Sequence, residues 1–449
     1  MAVNNLLDCH CWHSGLFDVL RQTDVEICRL IEDEYDRQQR TLQLVAAENQ
    51  CSRAVLAALG SVLQNKTAEG PVADRLHGGC AVVDRIEQLA IERAKQVFGA
   101  KYANVQPHSG TQANQIVLAA VLQKGDTILS LPCEQGGHFS HGSDTSITGK
   151  LFSVENYCLD PKSFRLDYQE IHKKALQCRP KMIICGASFY PRAIDFAAFR
   201  QIADQIGAFL LADISHISGL VMAGAHQSPI DFAHFTTTST YKCGGPRGGL
   251  ILMGKDCDNK IVVNGRKSAF AQLLDAATFP GLQGTPYFNH IAAKAVFFGE
   301  TETEQYRRRQ FKIIENAAAL AESLIKFGLD VVTGGTDNHL VLVDVTGLKK
   351  GLTGDIAQRA LEECGIVVDK IDLPYQKSGV VAGIRLGTPI VTKNGMTAQQ
   401  MDTIAGMIDG ILRQVKTASQ GGCIIDDAFK KQMLRRVEQL CGQFVPDNG

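Results

Sequence analysis

The feature that most constrains this chain is a set of short apolar runs alternating with helical stretches between residues 181 and 254. KMIICGAS (181–188) and FLLADIS (209–215) are apolar almost throughout, and FAAFRQIADQIG (196–207) between them carries a helical pattern. FTTTST (235–240) and GLILMG (249–254) are further short β candidates. Strands of this kind separated by helices predict an α/β region on a mainly parallel sheet. Charged amphipathic helices are predicted before it over 24–39 and 84–98, the second with Ile86, Leu89, Ala90 and Ala94 on its apolar face. After it come a long charged helix over 301–325, strands at 339–345, 365–370 and 382–387, and a last helix over 427–444. The pattern predicts an N-terminal arm and helix over 1–65, a large domain over 66–300 and a smaller α+β domain over 301–449.

The 449 residues are enough for two or three domains sharing a core. A formal net charge of −1 gives no pull toward nucleic acid or an anionic membrane, so the expected partners are small molecules and copies of the chain. No apolar run is long enough to span a bilayer, and the N-terminus lacks the ordered parts of a signal peptide. The 14 cysteines are irregularly spaced in a large chain, unlike a disulfide framework, which fits a reducing cytoplasm. Cys9, His10, Cys11 and His13 lie close together, but C-x-C without a second ligand pair is expected to be plain arm, and no metal is expected.

Four segments carry chemistry. HSGTQAN (108–114) places a Ser-Gly-Thr turn at a helix start, where backbone N–H groups and hydroxyls can face an anion. Asp213 ends an apolar strand, where open α/β sheets bind ligands, and could pair with a protonated ring nitrogen. Lys242 lies between a run of hydroxyl residues and a glycine-rich turn, and a pocket lysine can form a Schiff base with an aldehyde. Arg385, in GIRLGTP (383–389), could grip a carboxylate through two parallel hydrogen bonds. Alone, each has a blander reading: a helix cap, a capping aspartate, a surface lysine, a structural arginine. Together they follow the chain order of fold type I, aspartate-aminotransferase-like, pyridoxal-phosphate enzymes.

The motifs LVAAEN (44–49), NKTAEG (65–70), NVQPHSGTQAN (104–114), GGHFSHG (136–142), ADISHISGLV (212–221), GPRGGLIL (245–252), FPGLQGTP (279–286) and DNHLVLVDV (337–345) go further. With them the chain resembles the serine hydroxymethyltransferase family from about residue 24 onward. The resemblance implies that Lys242 holds pyridoxal phosphate covalently. It implies that Asp213 keeps the ring nitrogen protonated, that His138 stacks on the ring, and that Ser109, Gly110, Thr111 and Ser239 belong to the cofactor site. Ser188 and His216 would contact the ring hydroxyl side, and Arg385 would hold the substrate carboxylate. Glu69 would be the acid–base carboxylate, reaching in from a neighbouring subunit, and Gly284 would meet the phosphate from the other chain of a homodimer or tetramer. Tetrahydrofolate would be the co-substrate of one-carbon transfer.

The chain departs from the family pattern around this site. Thr67 stands for a tyrosine, Leu76 and His77 for a tyrosine pair, Ala47 for a carboxylate-binding serine, and Tyr241 for the histidine before the lysine. CGGPRGG is one residue short, and Thr285 replaces a glycine. Cys133 stands for a leucine beside the pterin and Ile371 for a folate-binding asparagine, while Phe279 and Gly137 remain. Thr67 leaves room beside the α-carbon, so an α-substituted substrate such as α-methylserine is expected. The alternatives are an ordinary serine hydroxymethyltransferase that has drifted, and a folate-independent aldolase or transaldolase.

Overall fold

A computed structural model describes residues 14–263, 265–375, 381–417 and 422–444. The Cys9–His13 cluster lies outside the described residues. Helix α1 (Val25–Arg40) is capped by Asp24, whose side chain accepts from Ile27 N–H. Helix α2 (Ala81–Phe98) ends at Gly99, which takes the left-handed conformation at φ 65°.

The buried stripe of α2 is Val83, Glu87, Ala90, Ala94 and Phe98. The expected face is therefore rotated: Leu89 is 42% exposed, and a carboxylate sits on the buried side. Glu87 tolerates that position because Arg75 pairs with it at 2.5 Å.

The larger sheet has seven strands: β1 (Tyr102–Asn104), β2 (Thr127–Ser130), β3 (Ser153–Asn156), β4 (Met182–Cys185), β5 (Phe209–Asp213), β6 (Phe235–Ser239) and β7 (Gly249–Met253). Their order is β1-β7-β6-β5-β4-β2-β3. The five from β6 to β3 run parallel; β7 lies antiparallel to β6, and β1 to β7. β4 to β7 are buried throughout apart from a half-buried Phe209, as a sheet covered on both faces requires. Helix α3 (Gly110–Val121) packs beside β6 and β7, and helix α4 (Phe196–Ile206) joins β4 to β5.

The long helix expected over 301–325 is α6 (Glu304–Lys326), and a separate helix α5 (Phe288–Thr301) precedes it. The break is local: Thr303 is extended and its side chain accepts from Tyr306 N–H, starting a new helix. α6 leads into an antiparallel sheet of β8 (Asp330–Val331), β9 (Leu340–Asp344), β10 (Asp369–Ile371) and β11 (Gly383–Gly387), in the order β8-β9-β11-β10. The strand expected over 365–370 is also divided. Ile366–Val367 pairs in parallel with Leu42–Gln43, and β10 pairs with β11. Leu42 and Leu44 thereby enter the core beneath this second sheet, while Val55 and Ala68 join the core of the first.

Candidate functional site

The carboxyl ends of the parallel strands open on one edge, where the loops after β2, β5 and β6 bring their side chains together. A cavity of about 220 Å³ there is lined by His108, Ser109, Gly110, Thr111, His138, Asp213, Ser215, Ser239, Tyr241, Lys242, Arg247 and Gly248. Of the residues implied for cofactor binding, it gathers Ser109, Gly110, Thr111, His138, Asp213, Ser239 and Lys242.

α3 begins in this wall. Ser109 is its N-cap, with Oγ accepting from Gln112 N–H at 3.0 Å, so Gly110 and Thr111 form the positive first turn of a twelve-residue helix. A Cβ on Gly110 would come within 3.2 Å of Ser239, so only glycine lets the two walls approach this closely.

Asp213 is buried at the end of β5 and accepts four hydrogen bonds. Ser215 N–H (3.0 Å) and Ser215 Oγ (2.6 Å) reach Oδ1; Asn114 Nδ2 (2.8 Å) and His141 Nε2 (3.0 Å) reach Oδ2. Burial alone would raise its pKa, but the His141 hydrogen bond and charge, with His138 and Asn114, outweigh that and hold the carboxylate ionised far below its ordinary range. Thr237 Oγ1 donates to Asn114 Oδ1 at 2.5 Å, which aims the amide N–H₂ at both Asp213 and Ser140 Oγ. Ser140 then donates its hydroxyl to His138 Nδ1 at 2.8 Å. Its backbone N–H also points at Nδ1, at 3.2 Å, which assigns the His138 proton to Nε2. Burial pushes His138 down to about 4, so it faces the cavity as a neutral ring.

Lys242 follows β6 in a short 3-10 turn, and its carbonyl accepts from Asn49 Nδ2 at 3.3 Å. Burial lowers its amine to about 8, against the pull of Asp213, with Arg385 adding to the fall. Among the described residues, Nζ makes no hydrogen bond; it lies 5.8 Å from the Tyr241 ring, whose face Arg247 also covers at 4.2 Å. Beneath the cavity, buried Lys294 donates to the carbonyls of Val105 (2.6 Å), Pro107 (3.2 Å) and Gly249 (2.8 Å). Burial draws its pKa down to about 7, but three accepted protons favour the ammonium form. A Cβ on Gly248 would lie 2.4 Å from the Lys294 stem, so this cation is one glycine away from the cavity.

Other implied residues surround the cavity without lining it. His216 stacks on His339, with ring centroids 5.7 Å apart, and burial depresses both imidazoles, His339 to about 3. Arg385 on β11 reaches the loop after β4, donating to the Ser188 carbonyl at 2.5 Å. Ala47 lies in the strip that crosses β11, where Gly387 N–H donates to Leu44 O at 2.7 Å.

Thr67, Glu69 and Gly284 form a separate group. A Cβ on Gly284 would meet Glu69 Oε1 at 2.8 Å. His77 Nδ1 accepts from Glu69 N–H at 3.3 Å, and Leu76 is 71% exposed beside it. Arg75 ties this turn down: its guanidinium binds Asp84, Glu87 and the Gly70 carbonyl, and Gln106 links Glu87 to Gln283. In one chain this group lies outside the Lys242 cavity.

The model of the family described as serine hydroxymethyltransferase matches residues 20–408. The chain belongs to the serine hydroxymethyltransferase family. Its fold is therefore fold type I, and its cavity lies where a mostly parallel sheet ends, among residues of a family of pyridoxal-phosphate-dependent transferases. Family members are oligomeric and act on small molecules. No helix among the described residues is long and apolar enough to cross a membrane, and none of their His, Cys, Asp and Glu side chains form a group placed to hold a metal ion.

The residues fit pyridoxal phosphate. Among the described residues buried Ser239 Oγ and His216 Nδ1 have no hydrogen-bond partner, a helix N-terminus lies in the cavity wall, and an ionised aspartate and a lysine amine both line it. Sequence reasoning missed Asn114, His141, Ser215, Asp369 and Lys294. Asn114 and His141 had a usable signal, being one helical turn from Gly110 and three residues from His138. Asp369 becomes visible only once β10 is paired with β11.

Proposed function

We propose that this chain is a pyridoxal-phosphate-dependent hydroxymethyltransferase. It cleaves or forms the Cα–Cβ bond of serine or an α-substituted serine such as α-methylserine, with tetrahydrofolate carrying the one-carbon unit. The observation that carries the reading is the convergence of Lys242, ionised Asp213 and the α3 N-terminus on one cavity within this family's fold. Lys242 would hold the cofactor covalently, Asp213 would face its ring nitrogen, and Ser109, Gly110, Thr111 and Ser239 would bind its phosphate. When bound, the cofactor supplies a conjugated ring that accepts the electron pair left at the α-carbon.

The chain's own groups do the rest. Arg385 would bind the amino-acid carboxylate and so orient the bonds of the α-carbon. Neutral His138 would offer the cofactor a flat, uncharged face. Glu69 takes the proton from the substrate hydroxyl as the carbonyl forms and returns it in the reverse direction. That role requires a second copy of the chain, because Glu69 and Gly284 are held together away from the Lys242 cavity of their own chain. Exposed Leu76, Val62 and Val82 near that turn support such a homodimer.

A second reading, a folate-independent aldolase or transaldolase, is favoured by Ile371. It is 7% exposed in an apolar cluster with Ala46, Leu342 and Leu373, and offers no polar group to a pteridine. The test is to incubate cofactor-loaded enzyme with serine and with α-methylserine, each with and without tetrahydrofolate, and to quantify glycine and alanine. Folate-dependent alanine from α-methylserine is the expected result. Folate-independent product selects the second reading, and folate-dependent glycine from serine alone removes the α-substituted substrate.

A further inference from the structure

The arginine expected to hold the substrate carboxylate already holds a carboxylate of the protein. Arg385 and Asp369 are direct cross-strand partners of β11 and β10, so their side chains leave the same face of the sheet side by side. Asp369 Oδ2 accepts from Arg385 Nε at 3.0 Å and from Nη2 at 2.6 Å, and Ser188 O accepts from Nη1 at 2.5 Å. The arginine side chain is 11% exposed and the aspartate 27%, so the pair is neither fully buried nor freely hydrated. Neighbouring Lys370 is paired with Asp355, and Arg385 is the cation hydrogen-bonded to Asp369.

A guanidinium has five N–H donors. Three are used here, and the two that remain are one on each Nη. The one on Nη2 lies on the end edge of the fork, and with Ser188 taking the Nη1 hydrogen turned toward Cδ that edge can still give a carboxylate two parallel hydrogen bonds. Asp369 therefore does not block the arginine. It holds the side edge, fixes the plane of the fork and cancels much of the charge that would attract an incoming carboxylate.

We infer that Asp369 is the positioning and affinity-setting residue of the amino-acid carboxylate site, admitting the substrate only through the end edge of Arg385 and weakening its hold there. This rests on the reading that Arg385 binds the substrate carboxylate. The consequence is a substrate bound in one orientation yet loosely, so that binding energy is not spent in the ground state.

The experiment compares wild type with Asp369→Asn, Asp369→Ala and Arg385→Lys in the cofactor-loaded enzyme. It measures KM, kcat and equilibrium binding of serine and α-methylserine, with serinamide as a ligand that lacks the carboxylate. Asp369→Asn keeps an oxygen acceptor and removes the charge. It is expected to tighten amino-acid binding about tenfold, the order of repulsion between two carboxylates roughly 6 Å apart in a partly hydrated site. Serinamide binding should not change. Asp369→Ala also loses the acceptor, so kcat falls more than in Asp369→Asn as the fork loses its orientation. A purely structural Asp369 would not produce tighter, carboxylate-specific binding. If Asp369→Asn leaves amino-acid affinity unchanged or weakens it while Arg385→Lys still weakens it, the inference is overturned and the role of Arg385 stands. If Arg385→Lys leaves amino-acid affinity unchanged, the underlying reading fails.

Discussion

Replacing Asp213 by asparagine probes the most heavily bonded side chain of the cavity. The carboxylate accepts two hydrogen bonds on each oxygen, from Ser215 N–H and Oγ on one and from Asn114 and His141 on the other. A carboxamide has one oxygen, so with that oxygen on Ser215 its N–H₂ group faces the Asn114 and His141 donors. Two hydrogen bonds to a charged acceptor are lost, each contributing about 1.5–3 kcal/mol. Removing a buried charge gives part of that back, leaving a net destabilisation of about 3 kcal/mol. Urea unfolding of the cofactor-free protein, followed by far-ultraviolet circular dichroism, measures it. The pH dependence has a definite sign. The folded-state pKa of Asp213 is depressed, so its contribution is complete above the unfolded value near 4 and is lost as pH falls below it. The stability gap between wild type and Asp213→Asn should therefore be widest at neutral pH and narrow from about pH 5 to about pH 3. A loss under about 1 kcal/mol at pH 7, or a gap that stays constant in acid, would refute the reasoning.

Lys294→Met removes the donor shared by Val105, Pro107 and Gly249, of which Pro107 O also accepts from Gly249 N–H at 2.8 Å. A loss of about 2–4 kcal/mol, seen as a lower Tm, should accompany faster escape of pyridoxal phosphate on dialysis, because two of the carbonyls, Val105 and Pro107, belong to the segment leading into the Ser109 turn. Thr67→Tyr should cut turnover of α-methylserine relative to serine by about tenfold or more, the penalty of one methyl group without space; an unchanged ratio in competition assays would show that residue 67 does not contact the α-substituent.

Much of this architecture is legible in the sequence because the buried parallel strands announce themselves. Strands β4, β5 and β7 are apolar and β6 is a buried run of threonines; Asp213 ends β5 and Lys242 follows β6, so locating the strand ends locates the cavity. Helix α6 is legible from its charged amphipathic pattern, and the Thr303 hydroxyl that caps it lies at the expected start. Ile366–Val367 and Asp369–Ile371 are separated by a single residue, Val368, and only their different partners divide them. Glu87 on a buried helix stripe and Asp369 on Arg385 depend on contacts between residues distant in sequence, which hydropathy does not encode. For the same reason the grouping of Glu69 with Gly284 follows from packing of a turn against a loop more than two hundred residues away.

The central claim is that Lys242 carries the cofactor. Loading the protein with pyridoxal phosphate, reducing it with borohydride and mapping the modified peptide by mass spectrometry tests this directly. A reduced pyridoxyl-phosphate group on Lys242, absent from Lys242→Ala, is the predicted result. Its appearance on another lysine, or on none while the cofactor is retained, would contradict the account.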